Sequence, residues 1–71
     1  MSFTAIYQKV PGGYIAFVEG LPGANTQGKT LEETRENLKE AIKIVLETYK
    51  QFTEEEIAGK EVIREKIEVS V

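Results

Sequence analysis

Leu31, Leu38, Ala41, Ile42, Val45, Leu46 and Tyr49 recur at three- and four-residue spacing, and this single stripe constrains the fold more than any other feature. It describes one long amphipathic helix that needs an apolar surface to lie on. Thr30-Leu31-Glu32-Glu33 opens it with a capping-box pattern, in which Thr30 caps the helix and Glu33 reaches back to the Thr30 amide. The opposite face carries Glu32, Arg35, Glu36, Lys39, Glu40, Lys43, Glu47 and Lys50. Glu36/Lys39, Glu40/Lys43 and Lys43/Glu47 stand at spacings that suit ion pairs on a solvated face. Glu32 and Glu33 fall in the first turn and Lys50 near the last, as the helix dipole prefers.

The surface for that stripe comes from strands. Residues 2–10 are rich in β-branched and aromatic types. Pro11-Gly12-Gly13 is a turn signal, and residues 14–19 form a second strand, giving a hairpin. After Gly20-Leu21-Pro22-Gly23, residues 24–28 read as a short third strand. Thr53-Glu54-Glu55-Glu56 repeats the capping pattern and predicts one further helical turn, ended by Gly59. Residues 62–71 switch to period two, with Ile67, Val69 and Val71 on one side and Lys66, Glu68 and Ser70 on the other, which predicts a last strand. The expected fold is α+β: a single domain over residues 1–71, ordered β-β-β-α-β, with one helix packed on one face of a small sheet.

A tight turn at Pro11-Gly12 pairs Lys9 with Tyr14, Tyr7 with Ala16 and Ala5 with Val18. Cross-strand partners share a face. Phe3, Ala5, Tyr7, Tyr14, Ala16 and Val18 then form the richer face, expected to meet the helix together with Ile67, Val69 and Val71. The other face holds Thr4, Ile6, Gln8, Ile15, Phe17 and Glu19. Its apolar centre, Ile6, Ile15 and Phe17, is rimmed by Thr4, Gln8, Glu19, Lys66 and Glu68. An apolar centre inside a polar rim has the composition of an interaction surface.

What is missing matters as much. The 71 residues contain no His, Cys, Asp or Trp, and all twelve acidic residues are Glu. Ser–His and Cys–His catalytic units are therefore absent, as are the common zinc ligand sets, and no disulfide can form. Gly23-Ala24-Asn25-Thr26-Gln27-Gly28-Lys29-Thr30 fits the G-x4-G-K-[ST] string of nucleotide-binding loops. Such loops belong to parallel α/β domains and work with an Asp for Mg²⁺, whereas turn and cap chemistry accounts for each residue here. No catalytic, cofactor-binding or metal-ligating residue is expected, and the chain reads as a binding protein rather than an enzyme. Its net charge of −3 favours a basic partner over nucleic acid. The uncharged stretch from Val10 to Val18 is too short to span a membrane, and the N-terminus lacks the pattern of a signal peptide. The cytoplasm is the default location.

Gly13-Tyr14-Ile15-Ala16, Leu21-Pro22-Gly23, Thr26-Gln27-Gly28-Lys29-Thr30-Leu31-Glu32-Glu33, Asn37 and Glu40-Ala41-Ile42, taken in order, resemble the HicB-type antitoxins. The likeness runs from residue 3 to about residue 49. It implies a partial ribonuclease-H-like fold in which the last strand returns parallel to the first through a right-handed crossover. It also implies a role: binding and neutralising a small, basic, HicA-like toxin that cleaves mRNA. Many of that family continue into a DNA-binding domain. The chain stops at Val71, so the expectation is a stand-alone neutralising module, with DNA reached only through an added domain. Glu19-Gly20 replaces the family's usual Pro-Asp, and Thr34 replaces a common Ala. Two other readings stand beside this one. The first is a homo-oligomeric domain, dimer or tetramer, whose spare sheet face pairs with itself and which has no active toxin partner. The second is an RNA-binding sheet that uses Tyr or Phe stacking, which the net charge disfavours.

Overall fold

A computed structural model describes residues 2–70. The chain forms β1 (Ala5–Val10), β2 (Gly13–Val18), β3 (Asn25–Gly28) and one helix, α1 (Leu31–Ile57). The strands make an antiparallel sheet in the order β1-β2-β3. Lys9 pairs with Tyr14, Tyr7 with Ala16 and Ala5 with Val18, the register expected from the tight turn. Pro11 and Gly12 are the central residues of that turn. Gly12 has φ +89°, the positive value that a type II turn requires at its third position. β1 begins three residues later than its apolar composition suggests, and Phe3 is exposed.

α1 lies across one face of the sheet, chiefly over β3 and β2. Ala16, Val18, Ala24 and Leu38 are fully buried, with Ala5, Tyr7, Leu21, Ile42 and Val45 packed around them. Thr34 is also buried, a position the apolar stripe does not predict. Its hydroxyl donates to the Thr30 carbonyl at 2.7 Å, so no polar group is stranded. It sits directly over Gly28, where an added Cβ would lie 2.6 Å from the Thr34 Oγ1. The missing side chain lets helix and strand approach closely. Asn37 fastens the same junction by donating from Nδ2 to the Gln27 carbonyl at 2.9 Å. At the other end of the sheet, the Tyr49 hydroxyl donates to the Pro22 carbonyl at 3.1 Å.

The helix start follows the capping box with one difference. The Glu33 amide donates to Thr30 Oγ1 at 3.0 Å, but the Glu33 carboxylate accepts from the Lys29 amide, one residue before the expected Thr30. Glu36–Lys39 and Glu40–Lys43 form the expected exposed ion pairs, at 3.1 and 3.4 Å. Lys43 turns to Glu40, and among the described residues no ion pair joins it to Glu47.

The C-terminal third corrects two expectations. Thr53 does not start a new helical turn: its hydroxyl donates back to the Tyr49 carbonyl at 2.9 Å, and α1 runs through to Ile57 unbroken. Lys50 is therefore not in the last turn, which contains no basic residue but does contain Glu54, Glu55 and Glu56, an arrangement the helix dipole disfavours. Nor do residues 61–70 form a strand; they have no regular secondary structure. Ile63, Ile67 and Val69 are 88%, 86% and 72% exposed, so Ile67 and Val69 add nothing to the core; Val71 lies outside the described residues. A period-two pattern becomes a strand only when it pairs with a sheet edge, and among the described residues this segment pairs with none. The result is a long molecule, 51 × 29 × 16 Å with a radius of gyration of 16.0 Å. A compact chain of this length would have about 11 Å.

Candidate functional site

The helix occupies one side of the sheet and leaves the other open. Strand alternation sends Ala5, Tyr7, Ala16 and Val18 toward α1 and turns Ile6, Gln8, Ile15 and Phe17 away from it. On the open face Ile6 stands opposite Phe17, and Gln8 opposite Ile15. Phe17 is 49% exposed and Ile15 40%, while Ile6 is half-buried between its neighbours. The three make one contiguous apolar patch across β1 and β2.

Thr4 and Glu19 extend the ladder beyond the ends of the strands. The Glu19 amide donates to the Thr4 carbonyl at 2.9 Å, which fixes the backbone at this corner and holds both residues exposed at the patch margin. The structure thus brings together Thr4, Ile6, Gln8, Ile15, Phe17 and Glu19. It does not bring Lys66 and Glu68 to the rim, because both lie on the unpaired C-terminal segment. Two residues missing from the sequence reading take their place. β3 pairs Gln27 with Ile15 and Asn25 with Phe17, so both amide side chains border the patch. Carrying the β2 alternation one strand further would have found them.

The electrostatics of this face differ from those of the whole chain. Glu19 is a charged side chain at the margin of the patch. The other charges sit mainly along the solvent face of α1 and in the C-terminal segment. A partner on the sheet therefore meets apolar and amide groups first, with a carboxylate at one corner.

The Gly23–Thr30 string has the wrong shape for a phosphate loop. Its residues 25–28 are extended and paired to β2, and the Glu33 amide in the first turn of α1 is engaged by the Thr30 hydroxyl. A hollow of about 320 Å³ beside it is lined by Val10, Tyr14, Lys29 and Glu33 together with glycine backbone. There the Glu33 carboxylate, not an open position, meets the Lys29 amide. No helix among the described residues is long and apolar enough to cross a membrane.

The sequence profile of a family described as UPF0150-like matches residues 3–51, from just before β1 to within α1. A UPF0150 protein of Archaeoglobus fulgidus is 39% identical over 67 residues, covering 93% of this chain and 97% of its own. A UPF0150 protein of Thermoplasma acidophilum is 44% identical over 55 residues, covering 76% and 80%. One of Thermotoga maritima is 47% identical over 47 residues, 63% of each chain. No solved structure matches the chain significantly.

Proposed function

The chain belongs to the UPF0150-like family, and from that premise we propose that it acts as a HicB-like antitoxin, binding a small basic mRNA-cleaving toxin through the open face of its sheet. The observation that carries this reading is the contiguous patch of Ile6, Ile15 and Phe17 on the sheet face that no element among the described residues covers. Exposed apolar patches rimmed by polar groups mark protein-binding surfaces. Three side chains are small beside the roughly 800 Å² per partner of a standard interface. Thr4, Gln8, Asn25 and Gln27 would have to join the contact, with Glu19 as the charged anchor. Neutralisation would be steric: the sheet covers the toxin's RNA-binding surface, and the chain's net charge of −3 speeds the encounter. The ordered motifs shared with HicB-type antitoxins support the same role. Co-purification with the product of a neighbouring small basic reading frame, and rescue of growth when that product is expressed, test it. Failure of both rejects it.

A second reading has its own support. A face with an apolar centre and few charges suits self-association, and a homo-oligomer built on it would be a domain without a toxin partner. In that case Phe17→Glu dissociates the oligomer, whereas in the first reading the same change disrupts toxin binding.

A further inference from the structure

We propose that residues 62–70 form a fourth strand in trans, adding to the outer edge of β1 in a second copy of the chain. The open sheet face described above is not used in this contact, so the inference does not depend on the antitoxin reading.

Four observations carry it. First, β1 is an edge strand, and its outer row of backbone groups has no partner among the described residues. Such an edge is a template for another strand. Second, residues 62–70 have the pattern of a strand with one apolar side, at Ile63, Ile67 and Val69, yet these three side chains are exposed. The segment is long enough to pair along all six residues of β1. Third, the helix does not cover β1 as it covers β3 and β2. Arg35 lies over the Tyr7 ring at 5.9 Å, which identifies the side of α1 that faces β1. Ile42 and Leu46 follow at spacings of seven and eleven residues, so they share that side. Both remain only half-buried, and a strand beside β1 would pass beneath them.

The fourth observation is one of charge. Glu65 is the single break in the apolar alternation Ile63–Glu65–Ile67–Val69. In a strand beside β1 it points toward α1, where Arg35 is the basic side chain available to meet it. The remaining alternate residues, Arg64, Lys66 and Glu68, turn to the outer face beside Thr4, Ile6 and Gln8.

The second copy is favoured over a return within one chain by the structure of the chain alone. A turn follows the helix, with the Lys60 amide donating to the Ile57 carbonyl at 3.0 Å, and Gly59 there has φ +72°. With that turn available, the segment still makes no contact with its own β1. Helix α1 also continues eight residues past Tyr49, the last side chain tied to the sheet, which carries the segment about 12 Å beyond that anchor. Two copies exchanging segments about a two-fold axis would fill both β1 edges by the same contact, a closed arrangement.

Sedimentation equilibrium on the full chain and two full-length variants tests this. Ile67→Pro removes a ladder donor from a residue that is 86% exposed in the isolated chain, so its circular dichroism should match the parent. The expected result is that the parent and Phe17→Glu sediment at twice the 8.0 kDa chain mass, and Ile67→Pro at 8.0 kDa. A monomeric parent overturns the proposal. So does a dimer that survives Ile67→Pro, and so does a dimer that Phe17→Glu dissolves.

Discussion

Ile6 and Phe17 stand directly opposite each other across the β1–β2 ladder, on the side of the sheet that α1 leaves open. Their ladder neighbours Ala5, Tyr7, Ala16 and Val18 point the other way and hold the core. Binding and folding therefore reside on alternate residues of the same two strands. A substitution at Phe17 can change what the sheet binds while leaving the packing beneath α1 in place.

Glu19 provides a test of charge steering. It is the carboxylate at the corner of the patch, fixed by its backbone bond to Thr4. Glu19→Lys should slow association with a basic partner and weaken the salt dependence of the on-rate. Glu40→Lys, on the solvent face of α1, should have a smaller effect. Stopped-flow association at two salt concentrations compares them, and equal on-rates would remove Glu19 from the interface.

Leu38 is the largest apolar side chain fully buried under the helix. Leu38→Ala should cost about 2–5 kcal/mol, from lost burial and the cavity it leaves. Native domains have only about 5–15 kcal/mol in all, so urea unfolding should show a large loss or no folded baseline.

Gly28 should not tolerate even a methyl group. Its Cβ would lie 2.6 Å from the Thr34 hydroxyl and 2.9 Å from the Thr34 amide nitrogen, and the second of these is backbone. Gly28→Ala should cost about 1–3 kcal/mol by forcing α1 away from β3. Thr34→Ala added to it should restore only part of the loss, as a thermal melt would show.

Thr30 accepts the Glu33 amide at the start of α1. Thr30→Ala should lower stability by about 1 kcal/mol, and Thr30→Ser should retain most of it. Equal midpoints for all three chains in urea would contradict the capping role.

The sheet was legible because two independent signals agreed. Pro11-Gly12 set the turn, and the alternation on either side assigned Ile6, Ile15 and Phe17 to one face. The helix start was legible from Thr30 and Glu33 for the same reason. Its end was not, because Thr53 can either cap a new turn or bond back to Tyr49, and local sequence does not separate the two. The burial of Thr34 is not legible in the sequence, because a helical stripe ranks residues by apolarity, whereas this position is buried by the closeness of Gly28. The segment from Val62 onward shows the limit most clearly. Ile63, Ile67 and Val69 encode a readiness to pair, but the edge that receives them is a property of neighbouring structure. Asn25 and Gln27 were legible in principle and required only the β2 register to be carried into β3.

The most direct measurement is calorimetric titration of the chain and of Phe17→Glu with a HicA-like toxin made inactive by replacing its catalytic His. Saturable binding by the parent chain is the expected result. Phe17→Glu should bind at least tenfold more weakly, with an unchanged circular dichroism spectrum. Equal affinity of the two chains, or no binding by the parent, would contradict the assignment of the open sheet face as a toxin-binding surface.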